Sequence, residues 1–304
     1  MSLHGKRLVI FGCGYVGSAL AEAALAAGMR VEALTRNSAK AAALQEQGIK
    51  VTVADLAASD WHARIAAAAD FVVNCVSSGG PDHYRASYVG GMQSVLTWAA
   101  QESAAIGTFV YTSSTAVYPQ GGGVVIDEAA DARGGTPNGA IIRESEMLLQ
   151  SAPAGAVRRH FILRLAGIYG PGRHHLLDQL RTGVAELGGR GDHRLNLAHR
   201  DDIVSAILAC LSAPAATGSA LFNVADSAPA LRAEVVTWLA QQLGRPSPGF
   251  DGAAGPRRGG AQMPDRIISN ARLQAVTGWR PRYPDYRAGY RQILGNPPAS
   301  RSSH

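Results

Sequence analysis

The chain has 304 residues, 46% of them hydrophobic and 17% charged, so it can bury a large core and is typical of a globular protein rather than a disordered one. Its formal net charge of +6 comes from dispersed basic residues, and this dispersal argues against nucleic-acid binding. Charged residues interrupt every long apolar segment, so no membrane span and no membrane partner is expected.

Apolar and helix-forming segments alternate over the first 165 residues. The predicted strands are Leu8–Phe11, Arg30–Leu34, Ile49–Val53, Phe71–Cys75, Thr108–Thr112 and His160–Leu165. The predicted helices are Ser18–Ala27, Asn37–Gln47, Trp61–Ala68, Pro81–Ser103 and Gly139–Gln150, the last after a glycine-rich loop from Pro119. This alternation predicts an α/β protein with a Rossmann-type doubly wound parallel sheet covered on both faces.

The regular alternation stops after Gly170. The later predictions are helices at Leu176–Glu186 and Asp202–Leu211, an edge strand at Ala220–Val224, a mobile loop at Gly244–Pro264, and short helices followed by disorder after Asn296. We therefore expect a dinucleotide-binding domain from residues 1–170, to which 196–226 return. Residues 171–195 and 227–304 are expected to form a small substrate-binding domain that covers the cofactor crevice.

The N-terminal strand leads directly into the pattern G-x-G-x-x-G and then into a helix. This arrangement is typical of a turn that holds a dinucleotide diphosphate at a helix N-terminus. The first glycine permits the turn, the second lets ligand approach the backbone, and the third lets the helix pack on the strand. The predicted cofactor-binding residues here are Gly12, Cys13, Gly14, Tyr15, Val16 and Gly17. Such a strand also differs from a signal peptide, because glycines end its apolar run.

The end of the second strand bears on the type of dinucleotide. Thr35-Arg36-Asn37 contains no carboxylate to accept bonds from ribose hydroxyls, whereas the Arg36 guanidinium suits a 2′-phosphate. This favours NADP over NAD, although Arg36 could also be a solvated residue at a helix start. Glu32, inside the strand, should point away from the cofactor. Asp55 could meet the adenine amino group or could cap a helix.

Several motifs of the chain resemble the extended short-chain dehydrogenase/reductase family, the group of NAD-dependent epimerases and dehydratases. They are Gly12–Gly17, Asp55-Leu56, Val72–Ser77, Tyr111–Pro119, Arg164–Arg173, His199–Ile203 and Gly278–Pro281. The resemblance implies a small C-terminal substrate domain and often a homodimer through two long helices, here Pro81–Ser103 and Gly139–Gln150. Met92 and Trp98 are candidate interface residues, and packing in the core explains them equally well. It also implies cofactor contacts from Leu56, Cys75, Val76, Ser77, Ser113, Leu165, Ala166 and Ile168.

The family's chemistry, by this resemblance, needs a serine or threonine, a tyrosine, and a lysine four residues after that tyrosine. Ser114 matches the serine, but counting back from Glu146 puts Arg143 at the lysine position and Gly139 at the tyrosine position. The only lysines are Lys6, Lys40 and Lys50, so no Tyr-x-x-x-Lys exists downstream. Arg143 could still hold the cofactor ribose, but the usual proton donor is missing. Tyr88, where the family usually has asparagine, and Phe11, in place of its first glycine, are further departures.

Two hypotheses follow from this departure. In the first, the protein is an atypical oxidoreductase or epimerase that uses another acid, with Tyr118 the leading candidate ahead of His174, His175 and His199. In the second, it is a non-catalytic NADP-binding regulator or scaffold.

Family analogy suggests a nucleotide sugar or another polar carbonyl or hydroxyl compound as the substrate. The candidate substrate contacts are Ser114, Thr115, Tyr118, Arg173, His174 and Asn196, with Arg190, Arg194 and Arg200 in the same stretch. No metal site is expected, because His174 and His175 lack a third ligand. Three distant cysteines without a C-x-x-C motif predict reduced thiols and a cytoplasmic protein.

Overall fold

The strongly apolar segments of the chain form the strands of the fold. The computed structural model describes residues 2–78, 80–101, 106–153, 155–253 and 263–295. Its strands are β1 (Arg7–Phe11), β2 (Arg30–Thr35), β3 (Lys50–Val53), β4 (Phe71–Asn74), β5 (Thr108–Ser114), β6 (Val124–Ile126), β7 (His160–Leu165), β8 (Gly167–Tyr169), β9 (Glu186–Leu187), β10 (Arg194–Leu195), β11 (Leu197–His199), β12 (Ala220–Val224), β13 (Ala230–Leu231), β14 (Gly249–Phe250) and β15 (Arg266–Ile268).

Helices follow most of these strands. They are α1 (Tyr15–Ala26), α2 (Ser38–Glu46), α3 (Gly91–Ala100), α4 (Pro137–Gln150), α5 (His175–Arg181), α6 (Arg200–Ser212), α7 (Arg232–Gln242), α8 (Ala271–Thr277) and α9 (Tyr286–Ile293). Within the described ranges, none of these helices has both the length and the apolar character needed to cross a membrane.

Seven strands form one parallel sheet in the order β3-β2-β1-β4-β5-β7-β12. The chain builds outward from β1 to β3, then returns to the other side of β1 at β4. This reversal creates a crevice at the carboxyl ends of β1 and β4, where ligands bind in such sheets. The predicted α/β fold with a Rossmann-like parallel sheet is therefore confirmed, including β12 as an edge strand.

Each central strand is buried on both faces, which explains its continuous apolar sequence. On β1, Leu8 and Ile10 belong to one core cluster, whereas Val9 and Phe11 belong to a second. The ring of Phe11 lies 5.3 Å from that of Trp98 on α3. A third cluster joins α5, α7 and α9 in the C-terminal part of the chain.

The segment from Trp61 to Ala68 is not the predicted helix, because only His62–Arg64 forms a single 3-10 turn. Ile65, Ala67 and Ala69 are buried at every second position, which is the spacing of extended chain. Burial of these small residues on one side of an extended segment therefore outweighs the helix propensity of the alanines.

The predicted helix Pro81–Ser103 is interrupted. A 3-10 turn (Pro81–His83) and a π-helical turn (Ala86–Gly90) precede α3, and the adjacent glycines at 90 and 91 explain why a regular helix begins late. Of the two alternatives for Met92 and Trp98, the structure shows core packing, because both side chains are buried within the chain. The Trp98 indole also donates to the carbonyl of Ile65 at 2.6 Å.

The C-terminal part combines short strands with helices. The predicted helix Leu176–Glu186 ends as α5 at Arg181, because Gly183 adopts φ +77° and the chain then turns into β9. The segment from β15 to Trp279 packs against the first core cluster, through Ile268 and Leu273. Residues 254–262 of the predicted mobile loop and the predicted disordered tail after Asn296 lie outside the described residues, and the described part of that loop contains β14.

Candidate dinucleotide site

A cavity of about 490 Å³ lies at the carboxyl ends of β1, β2 and β4. This is the crevice where the strand order reverses, so the topology alone directs a ligand here. The lining residues are Gly12, Cys13, Gly14, Leu34, Thr35, Arg36, Asn37, Lys40, Asp55, Leu56, Cys75, Val76, Ser77, Ser78 and Ser87.

The glycine turn between β1 and α1 forms one wall of the cavity. Gly12 has φ +89°, and a Cβ on it would lie 2.7 Å from the backbone nitrogen of Val76. A Cβ on Gly17 would lie 2.2 Å from the carbonyl oxygen of Gly12, so the helix can approach the turn only with glycine there. A Cβ on Gly14 would meet no described atom within 4 Å. The open space beside Gly14 is thus the place where a ligand can approach the backbone.

The first turn of α1 offers donors to this space. Gly14 is its N-cap and provides no side-chain cap, so backbone N–H groups of the first turn are free for an anion. Burial raises the pKa of both adjacent thiols, Cys13 and Cys75, to about 12. Both cysteines therefore contribute shape and remain protonated at neutral pH.

The cavity wall that follows β2 and β3 is charged. A guanidinium nitrogen of Arg36 lies 3.6 Å from a carboxylate oxygen of Asp55, and both side chains are about half exposed. Asp55 also accepts from the backbone N–H of Ala57 in a turn, and no helix of the described residues begins there, so Asp55 is not the helix cap that the sequence left open. Glu32 instead pairs with Arg7 and Lys50 away from the cavity.

Tyr118 is buried in the core and is not among the residues that line the cavity. Its side chain is 2% exposed, and its hydroxyl donates to Asn223 Oδ1 at 2.8 Å. The Arg164 guanidinium stacks on its ring, 4.7 Å from the centroid. Burial raises the pKa of Tyr118, and the hydroxyl is already used inside the core. We therefore correct the expectation that Tyr118 faces the substrate, because the turn after β5 directs it toward β12.

The missing tyrosine has a structural explanation. A Cβ on Gly139 would lie 2.3 Å from the carbonyl oxygen of Ala116, so α4 packs too closely on the turn after β5 for any side chain there. Arg143 donates to Glu146 at 3.3 Å and to Gln150 at 2.9 Å, both on its own helix. The position predicted to carry the ribose-binding cation is therefore engaged along α4.

The buried carboxylate of Glu146 also explains the direction of the Ser113 side chain. Ser113 Oγ donates to Glu146 at 2.6 Å, and Arg164 adds two bonds at 2.9 and 2.7 Å. Ser113 is thus directed into this network and away from the cavity. Ser114, the next residue, is only half-buried and its Oγ accepts from the N–H of Ala116.

The other predicted substrate contacts are dispersed. Asn196 bonds through both amide atoms to the backbone of Arg266 and Ile268, so it holds β15 in place. The carbonyl of Thr115 accepts from the buried Arg266 guanidinium at 2.7 Å. These two residues serve the packing of β15 against the turn after β5.

Arg173 packs beside the start of α1, whereas His174 is largely buried and pairs with a residue of α5. Arg173 and Arg200 both approach the ring of Tyr15, at 5.5 and 5.3 Å, and the Tyr15 hydroxyl donates to the carbonyl of Pro171. His174 Nδ1 lies 2.8 Å from Asp178. The chain after β8 is in this way attached to the start of α1.

The histidine at the start of α6 is structural. His199 is the N-cap of α6 and accepts from the N–H of Asp201, whereas the sequence suggested an aspartate cap. Burial lowers the pKa of His199 to about 4, so it is neutral at pH 7. Asp202 instead accepts from the backbone N–H groups of Arg282 and Tyr283.

The structure brings most of the predicted cofactor residues to one cavity and leaves others aside. Those outside its lining are Tyr15, Val16, Gly17, Ser113, Arg143, Leu165, Ala166 and Ile168. Four further residues line the cavity that the sequence pattern did not indicate: Leu34, Lys40, Ser78 and Ser87. Lys40 could have been found, because it lies in the first turn of the helix that follows Arg36.

A parallel sheet with a glycine turn at its reversal point defines a Rossmann-like α/β protein. The sequence model of the NAD dependent epimerase/dehydratase family matches residues 8–225, and the chain belongs to this family. It is 32% identical to protein YeeZ of Escherichia coli (strain K12) over 176 residues, which is 58% of this chain and 58% of YeeZ.

Solved structures share the fold over nearly the full length. A Methylobacillus flagellatus protein assigned as an NAD-dependent epimerase/dehydratase has 30% identity and a TM-score of 0.75, with 95% of this chain and 98% of that chain covered. The Bacillus cereus UDP-glucuronic acid 4-epimerase, in complex with UDP-glucuronic acid and NAD, has 17% identity and a TM-score of 0.79, covering 95% and 99%. At that identity the second likeness shows the fold alone.

Proposed function

We propose that this chain binds a nicotinamide dinucleotide at the cavity beside the glycine turn and prefers NADP to NAD. The observation that carries the proposal is the open space at Gly14, framed by Gly12 and Gly17, next to a wall that carries Arg36. Free N–H groups suit the diphosphate, and the guanidinium suits a 2′-phosphate. Membership of an NAD dependent family supports the cofactor class.

The proposed activity is that of an oxidoreductase or epimerase with an atypical active site. When bound, the cofactor supplies hydride transfer at its nicotinamide ring. The substrate class that we propose is a nucleotide sugar or another polar carbonyl or hydroxyl compound, by analogy with the B. cereus epimerase. Ser114 is the proposed hydroxyl contact, and Arg173 and His174 are the proposed polar contacts of this substrate.

A non-catalytic NADP-binding regulator is the second candidate. A specific observation favours it: Gly139 contacts Ala116 too closely for a tyrosine, and Arg143 is bonded along α4. The usual tyrosine is thus absent, and the guanidinium at the lysine position is bonded to its own helix. We also propose a homodimer through the exposed faces of α3 and α4, which light scattering of the purified chain tests. We further propose a cytoplasmic location.

The cofactor proposal is tested by calorimetry with NADPH and NADH. We expect Arg36→Asp to weaken NADPH binding at least about 10-fold more than NADH binding, because the variant places a carboxylate beside the 2′-phosphate. Equal losses for the two cofactors would exclude Arg36 as a phosphate contact. No binding of either cofactor to folded wild-type protein would refute the cofactor site itself.

The two candidate functions separate in a turnover assay. Purified protein with NADPH is offered a panel of sugar nucleotides and simple aldehydes, and the loss of absorbance at the reduced nicotinamide band is followed. Oxidation above the protein-free rate supports the enzyme. An epimerase returns its hydride and leaves no net change in absorbance, so the same panel is also checked for interconversion of sugar-nucleotide epimers with the oxidised cofactor. Tight NADPH binding with neither oxidation nor epimer interconversion across the panel supports the regulator.

A further inference from the structure

Lys40 is a second cation of the cavity wall, beside Arg36. It lines the cavity together with Arg36 and Asp55, and these three are the charged residues of the lining. Its backbone N–H donates to Asn37 Oδ1 at 2.9 Å, so the start of α2 is fixed relative to Arg36. The ammonium is also close enough to the glycine turn to oppose the burial-driven rise in the pKa of Cys13.

The three lysines of the chain differ in their partners. Lys6 pairs with Asp70 at 3.0 Å, and Lys50 pairs with Glu32 at 3.4 Å. Within the described residues, the Lys40 ammonium has no carboxylate within ion-pair distance. Its charge is therefore available to a ligand in the cavity.

Arg36, by contrast, already has an acidic neighbour. Its guanidinium lies 3.6 Å from Asp55 across the same wall, and a dianionic phosphate must compete with that carboxylate. With Arg36 and Asp55 offsetting each other, Lys40 supplies the net positive charge of this end of the cavity. A dinucleotide with an additional phosphate on its adenosine ribose gains from that charge, whereas one with free hydroxyls does not.

We propose that Lys40 is a second 2′-phosphate contact and a determinant of NADP over NAD preference. This inference rests on the proposed function, since it assigns a specificity residue within the same cofactor site. The phosphate would lie between the Arg36 fork and the Lys40 ammonium. The flexible lysine accommodates the ligand while Arg36 remains near Asp55.

The experiment compares Lys40→Met with Lys50→Met, which removes the same charge outside the cavity. Calorimetry uses NADPH, NADH, adenosine 2′,5′-bisphosphate and adenosine 5′-monophosphate, the last two probing the adenosine end alone. For Lys40→Met we expect the Kd of both 2′-phosphorylated ligands to rise about 10-fold or more. The Kd of NADH and of the monophosphate should change less than about 2-fold, and Lys50→Met should resemble wild type.

Several results would overturn the inference. An equal effect of Lys40→Met on NADPH and NADH, or no effect on either, removes the role of Lys40 while NADP binding stands. A similar loss in Lys50→Met would mean that only overall charge matters. If the wild type binds no dinucleotide, the proposed function fails first and this inference fails with it. Lys40 is exposed, so an unchanged melting temperature verifies that Lys40→Met is folded.

Discussion

Individual glycines in the turn after β1 differ in what the lack of a side chain makes possible. Gly17 lets α1 approach the carbonyl of Gly12, so its lack of a side chain serves the fold. Gly14 faces open space, where we propose that the dinucleotide approaches the backbone. The same motif thus contains one position that serves packing and one that we propose serves binding.

Gly14→Ala and Gly17→Ala are expected to separate these tasks. Gly14→Ala should keep the melting temperature near that of wild type and weaken NADPH binding, because its methyl group enters the ligand space. Gly17→Ala should lower the free energy of unfolding by about 1–3 kcal/mol, because its methyl group overlaps the backbone. Thermal unfolding and calorimetry on both variants provide the measurements. A Gly14→Ala variant as unstable as Gly17→Ala would contradict this division.

Tyr118 illustrates how a plausible catalytic residue becomes structural. Tyr118→Phe removes the bond to Asn223 and leaves a buried acceptor unpaired, so we expect a loss of about 1–3 kcal/mol of unfolding free energy. Cofactor affinity and any turnover should persist, because the hydroxyl does not reach the cavity. Urea unfolding and the turnover assay measure both effects. Loss of turnover in a stably folded variant would restore Tyr118 as the acid.

Among the secondary-structure elements, α4, β5 and β7 are connected through the side chain of Glu146. Its carboxylate on α4 accepts from Ser113 on β5 and from Arg164 on β7, and it is completely buried. Glu144, two residues earlier, forms an ion pair with Arg85 at the surface. The same helix therefore offers a buried and an exposed ion pair.

Glu146→Gln should cost far more stability than Glu144→Gln. Without the carboxylate, Arg164 stays buried as an unpaired charge, and such losses are about 3–5 kcal/mol. The exposed pair should contribute less than about 1 kcal/mol. Urea unfolding of both variants measures the difference, and losses of equal size would argue against a buried charge network.

For the whole molecule, buried carboxyl groups connect stability to pH. Both carboxylate oxygens of Asp226 are buried, and burial raises the pKa of this carboxyl well above its ordinary value, more than the backbone N–H of Ala228 lowers it. Burial raises the pKa of Asp202 to about 6. Both carboxyl groups hold their protons more tightly in the folded state than in the unfolded state. Their contributions to the free energy of unfolding therefore decline as pH rises above about 4. His199 acts in the opposite sense, because its lowered pKa favours the folded state as pH rises from about 4 to 6.5.

Asp226→Asn isolates one of these contributions. The variant cannot ionise at this position, so its stability relative to wild type should increase between pH 5 and pH 8, on the order of 1–3 kcal/mol. Urea unfolding at both pH values measures it. Asp192→Asn serves as the control, because Asp192 is exposed and Arg190 lowers its pKa. A difference between Asp226→Asn and wild type that does not vary with pH would contradict a raised pKa.

Most of the fold and the cofactor turn follow from local pattern. The continuous apolar runs of β1, β4 and β5 indicate strands buried on both faces. The motif Gly12–Gly17 indicates the turn, since Gly12 and Gly17 have no room for a Cβ. Arg36 and Asp55 could be placed at the cavity because strand ends meet at one edge of the sheet.

The sequence by itself determined the sheet, the glycine turn and the absence of a Tyr-Lys pair, because these depend on neighbouring residues and on which residue types exist. Only the tertiary structure decided that Tyr118 faces Asn223, that Arg143 lies along α4 and that Lys40 lines the cavity with Arg36. Those outcomes depend on packing between segments distant in the chain. Side-chain direction at a strand end is set by the neighbours it meets there, and local periodicity carries no information about them.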